Sequence, residues 1–222
     1  MAQIRSVIRR RSVILPLILT NIIIFFIQSL SSDFTANFLL APNQVFQRPW
    51  IIITSMFLHG GVNHIFYNMY GLYMFGSLLE RKITSEKVLS IYFIAGIAAS
   101  VGHIIFSKFL YGSASPALGA SGALMGVIGA LIILMPDLRL LFFFLIPMPL
   151  WVAGIIWTMI DVFGVFFPSG IANFAHLTGL LVGTLYGLYI KNKSKKYYSG
   201  DFSKKRHLNT SDLEGFLKQG RL

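Results

Sequence analysis

Four side chains in this sequence combine chemical capacity with apolar surroundings: His64, Asn68, Ser121 and His176. A serine hydroxyl is a poor nucleophile at neutral pH and attacks a carbonyl only when an adjacent base takes its proton. Histidine, with an ordinary pKa of about 6.5, is neutral and available for that task near pH 7. His64 and Asn68 stand four residues apart, so on a helix they share one face, and both can donate hydrogen bonds to a developing oxyanion. Together the set has the parts for acyl transfer: nucleophile, base and oxyanion donors. With no cysteine in the chain, a thiol nucleophile, a thiolate metal site and a disulfide framework are all excluded. A metal-dependent reading through His59, His64, His103 and His176 is weaker, because there is no HExxH and no carboxylate beside these histidines. No metal or cofactor is expected.

The elements that position these residues are set by composition. Of the 222 residues 55% are hydrophobic and 12% charged, with a mean hydropathy of +0.69, far more apolar than a soluble domain of this length. The 20 Phe are spread along the chain, as expected where lipid is the solvent. Six stretches approach the roughly 20 apolar residues that a spanning helix needs: about 12–30, 64–79, 88–106, 117–135, 140–167 and 172–190. The first follows a basic stub but is long for a signal-peptide core and precedes five others, so it is read as a retained span. Trp50 to Leu58 is apolar but too short to cross and is expected at the interface. Pro147 and Pro149 should loosen or kink the fifth span.

The net charge of +11 does not imply nucleic acid, because most of it lies at the two ends. If the N-terminus is cytoplasmic, all of the 19 Lys and Arg except Arg48 and Lys108 fall on the inner side. The positive-inside bias therefore places both termini in the cytoplasm. Spans two, four and six then enter from outside, and His64, Asn68, Ser121 and His176 fall at one level in their outer parts. Small residues surround them: Gly119, Gly122 and Gly126 near the serine, and Gly179, Gly183 and Gly187 after the histidine. Such faces let helices pack closely, which would bring Ser121 and His176 within hydrogen-bonding reach.

These residues fall in three motifs. Gly119-Ala120-Ser121-Gly122 matches the GxSG motif of rhomboid intramembrane proteases. The segment from His59 through His64 to Asn68 resembles their HxxxxHxxxN element, and Ala172 to Gly179 resembles ANxAHxxG. The resemblance covers about residues 45–190 and includes Glu80-Arg81, similar to the family's ExR-type pair. It implies a Ser121–His176 catalytic dyad, oxyanion stabilisation by His64 and Asn68 with the backbone N–H of Ser121, and lateral substrate access between spans two and five. His59 and Asn173 are candidate supports. Met125 stands where some members carry an aromatic residue against the histidine, and Trp50-Ile51 replaces a frequent Trp-Arg pair. Asp161 could orient His176 as a third member, whereas the resemblance implies a dyad. His103 is read as packed or interfacial, and His207 has no chemical context.

The expected fold class is all-α: a polytopic membrane helix bundle of six transmembrane helices, rhomboid-like. Residues 1–11 would form a basic cytoplasmic stub, 12–190 the membrane domain and 191–222 a basic cytoplasmic tail. The expected activity is that of an intramembrane serine endopeptidase in the cell membrane, opening to the extracellular side and acting on single-span transmembrane proteins. The partners are those substrates and membrane lipid, with no nucleic acid; the oligomeric state is not encoded in any feature above. The alternative is a rhomboid-like protein that binds transmembrane clients without cutting them.

Overall fold

The computed structural model describes residues 12–112, 115–142, 146–167 and 170–202. The basic stub, the tail beyond residue 202 and His207 lie outside the described residues. The chain divides into two units, Met1–Leu188 and Tyr189–Leu222. The second is helical through Phe202, with Lys193 Nζ 5.9 Å from the centre of the Tyr189 ring.

The described residues are mostly helical, and each predicted stretch contains a helix. The first holds α1 (Ile14–Leu30). Its start is held by Glu80, whose carboxylate accepts from the Val13 N–H at 2.8 Å and the Ser12 hydroxyl at 2.6 Å. An acidic group suits this place, because the first turn of a helix leaves N–H groups unpaired. After α2 (Ser32–Phe38), the interfacial segment forms the short helix α3 (Ile51–Thr54) and a 3₁₀ turn over Ser55–Phe57. The second stretch is α4 (Val62–Gly71), a π-turn over Leu72–Gly76 and α5 (Ser77–Lys82) without a break. The third is α6 (Ser85–Tyr111), ended by Gly112 at φ 72°, a left-handed cap that glycine adopts without strain. Among the described residues α6 alone is long and apolar enough by itself to cross a membrane, while α1, α7 and α8 are apolar but shorter.

Two stretches depart from uniform helices. In the fourth, helix α7 (Ser121–Leu134) begins only at the serine. Residues 117–119 stay outside the helix because other chain segments satisfy their backbone. Leu40 and Ala117 exchange N–H···O bonds at 2.9 and 3.0 Å, and the Gly119 N–H donates to Ser55 at 2.9 Å. Irregular backbone at membrane depth is stable where it is buried in protein in this way. In the fifth, two short segments pair as antiparallel strands instead of forming helix: β1 (Arg139–Phe142) pairs with β2 (Ile146–Pro149), Leu141 opposite Pro147. The expected kink is thus a helix start, and the fold is mostly helical, as expected, with one small pair of strands. Proline clashes with a preceding helical turn, but it tolerates an edge strand, where its missing N–H is not needed. Pro149 then leads into α8 (Leu150–Phe166), a place where proline's fixed φ is favourable.

Helix α9 (Asn173–Phe202) follows. Its glycines meet α7 backbone to backbone: a Cβ at Gly179 would overlap the carbonyl of Gly122, and one at Gly183 the carbonyl of Gly126. Across the other side of α7, Gly126 receives the Ala95 methyl of α6. Close approach of this kind maximises dispersion contacts, which drive association where both helices would otherwise meet lipid.

Candidate active site

Ser121 is the first residue of α7, so its side chain and its unpaired backbone N–H sit together at the positive end of that helix. The preceding Gly119 has φ 127°, a conformation that L side chains rarely adopt, and a Cβ there would come within 2.9 Å of the His64 ring. Glycine is required on both counts. His176 is in the first turn of α9, where the Gly122–Gly179 approach sets its distance from Ser121. Its Nε2 lies 2.8 Å from Ser121 Oγ, and its Nδ1 lies 2.9 Å from Asp161 Oδ1 on α8.

His64 is on α4, and its Nδ1 accepts from the Gly60 N–H at 3.2 Å. That bond leaves the ring proton on Nε2, the edge nearest Gly119. Asn68, one turn later, is buried, and one of its amide hydrogens donates to the His64 carbonyl at 2.9 Å. A cavity of about 1230 Å³ is lined by His64, Asn68, Ser121 and His176 together. Its walls also include Tyr67 and Phe75 from the α4 side and Ala153 and Trp157 from α8.

The Rhomboid domain family matches this sequence over residues 47–193, most of the chain and all four of these residues. The chain belongs to the rhomboid family. It is 35% identical over 148 residues to Rhomboid protein 1, mitochondrial, of Saccharomyces cerevisiae, covering 65% of this chain and 43% of the yeast protein. It is 33% identical over 134 residues to Rhomboid protease GluP of Bacillus subtilis, covering 60% of this chain and 24% of that protein. A shorter match, 31% over 83 residues, is to Inactive RHOMBOID-like protein 8 of Arabidopsis thaliana, 37% of this chain and 22% of the plant protein. This chain therefore spans less than half the length of these relatives. Rhomboids are multi-pass membrane proteins, and the family includes serine proteases that act on transmembrane proteins as well as inactive members.

In this rhomboid Asn173, His103 and Met125 line the cavity, whereas His59 stands behind it. His59 is buried behind His64, ring centres 5.2 Å apart. Its backbone is clamped by Gln28, which donates to the His59 carbonyl at 2.9 Å and accepts from its N–H at 3.0 Å. Neither ring nitrogen of His59 has a hydrogen-bond partner among the described residues. Burial, reinforced by the neighbouring His64, lowers the His59 pKa to about 4, with the nearby Phe57 backbone opposing only weakly. Asn173 lines the cavity, donates to the Ile171 carbonyl at 3.2 Å and packs where Gly164 of α8 has no side chain. His103 also lines it, with Nε2 2.9 Å from the Ser115 carbonyl and Nδ1 3.4 Å from the Ser107 hydroxyl. It thereby pins the loop that leads to Ser121. Met125 is at the cavity wall. Gln28 was outside every motif, and no sequence signal marks it, because its partner is backbone 31 residues away.

Proposed function

We propose that this protein is an intramembrane serine endopeptidase that uses Ser121 as nucleophile and His176 as general base. The observation that carries this reading is the 2.8 Å approach of His176 Nε2 to Ser121 Oγ, within the range required for proton transfer. In the first step the Ser121 proton passes to Nε2 as Oγ bonds to the scissile carbonyl carbon. The oxyanion is stabilised by His64 Nε2–H, the Asn68 amide and the Ser121 N–H. Collapse breaks the C–N bond, with the proton delivered from His176 to the leaving amine. Water, activated by the same base, then hydrolyses the acyl-enzyme.

In this reading the six helical stretches are spans, both termini are cytoplasmic, and the site opens to the outer face of the cell membrane. The cation distribution supports that orientation. The substrates are single-span membrane proteins with small residues and helix-weakening sequence near the cut. They enter sideways between α4 and α8, where the cavity walls are formed by Tyr67, Phe75 and Trp157.

The decisive experiment is labelling of the purified protein by a serine-directed fluorophosphonate, alongside cleavage of a transmembrane substrate. Ser121→Ala should lose labelling and cleavage, and His176→Ala cleavage. The double variant should be no worse than either alone, because the two act as a unit. A wild-type chain that binds substrate and neither labels nor cleaves would support the client-binding alternative.

A further inference from the structure

Asp161 is the only ionisable side chain in α8 and is 6% exposed. A carboxylate at such a place is costly unless it is paired, and its presence inside a membrane helix calls for a use. Its partner among the described residues is His176 Nδ1, at 2.9 Å, on the opposite edge of the ring from Ser121. We propose that Asp161 completes a Ser121–His176–Asp161 triad as the positioning residue of the base, in place of the dyad that the family resemblance implies. The proposal rests on the serine-peptidase reading above.

The argument is one of hydrogen-bond inventory. An ionised carboxylate only accepts, so the Asp161 contact requires the proton on Nδ1. The Nε2 lone pair then faces the Ser121 hydroxyl, the one tautomer in which His176 can take the serine proton. In the other tautomer Nε2–H would point at Oγ and Nδ1 would oppose the carboxylate with a lone pair. As Oγ bonds to the carbonyl carbon, the proton moves to Nε2 and the ring becomes imidazolium. The Nδ1 proton stays on nitrogen and Asp161 stays a carboxylate, its charge opposite the new cation. The proton on Nε2 later passes to the leaving amine, so no additional reactant is required. The acid also comes from a different wall than the other two members: Ser121 and His176 belong to the tightly packed α7 and α9, whereas Asp161 is supplied by α8.

The test compares wild type with Asp161→Asn, Asp161→Glu and Ser121→Ala, all as the full chain in detergent. Asp161→Asn should lower kcat by about 10⁴, the loss seen when an amide replaces the acid of a Ser-His-Asp site, with KM within about threefold and the fluorophosphonate labelling rate falling in parallel. Asp161→Glu should recover part of the loss. Nitrogen NMR of labelled histidine should show His176 protonated at Nδ1 in wild type and Ser121→Ala, and a mixture of tautomers in Asp161→Asn. A packing role would leave that spectrum unchanged. The triad is overturned if Asp161→Asn keeps kcat within about threefold while Ser121→Ala is dead, or if the wild-type ring carries no Nδ1 proton. The second result decides the matter even if Asp161→Asn fails to fold. Activity retained in Ser121→Ala would instead sink the serine reading itself.

Discussion

The two sides of the cavity are built differently. On one side α7 and α9 touch through backbone, with Gly179 and Gly183 seated on the carbonyls of Gly122 and Gly126. On the other, α4 and α8 flank a cavity of about 1230 Å³ lined by larger side chains, with the Phe75 and Trp157 ring centres 5.8 Å apart. A backbone seam has no rotamers and cannot yield, whereas a wall of long side chains can rearrange. The proposed nucleophile and base, Ser121 and His176, are on the seam, where their 2.8 Å spacing is protected. The open side is the one proposed to admit substrate. The Ser121–His176 spacing is thus set by one helix pair, while the other flanks the proposed entry and also carries His64, Asn68 and Asp161.

The strongest way to break this contrast is to put a side chain into the seam. Gly183→Ala must displace the Gly126 backbone, and we expect loss of the folded state, a destabilisation above about 4 kcal/mol, read by thermal unfolding in detergent. The matched change on the open side is Gly71→Ala in α4, at the cavity wall, whose new methyl meets only the Leu124 side chain. It should leave folding and cleavage close to wild type. Equal damage from the two would mean that the sides do not differ in rigidity.

Next in size are the oxyanion donors. Asn68→Ala and His64→Ala should each lower kcat by about 10²–10³, with a much smaller effect on melting temperature. Near wild-type turnover in both would remove α4 from the catalytic machinery. A cross-link between the outer halves of α4 and α8 should then reduce cleavage of a transmembrane substrate more than that of a short soluble peptide. Equal loss for both substrates, or none, argues against access on this side.

The smallest expected effect is a pH dependence of stability from His59. In the folded protein its pKa is lowered to about 4, whereas the unfolded chain has about 6.5. The neutral ring therefore carries its full stability above pH 6.5, and that stability falls as pH drops from 6.5 toward 4, by about 1–2 kcal/mol near pH 5. Melting curves between pH 7 and 5 should show this slope in wild type and a flatter one in His59→Leu. An unchanged slope would place the acid sensitivity elsewhere.

Much of the architecture was legible because membrane helices must satisfy their backbones internally, so apolar length alone marks them. That rule located α1, α6 and α9 to within a few residues of their starts. It began the fifth stretch too early, since Leu140 to Phe142 is as apolar as any helix and only its pairing with Ile146 to Met148 makes it a strand. It also could not show that α7 starts at Ser121, because the bonds that keep Ala117 and Gly119 outside the helix come from Leu40 and Ser55, far away in sequence.

The sequence alone determined which residue types are available for the proposed chemistry, their order along the chain, and the small-residue faces that make close approach possible. Those are properties of spacing and composition, and no distant contact is needed to read them. Tertiary structure decided which nitrogen of His176 faces the serine, that Asp161 occupies the other, and that His64 is held by the Gly60 N–H. Such relations are set by hydrogen bonds between helices, whose directions depend on the rotation of each helix about its axis, and the packing of the whole bundle fixes that rotation.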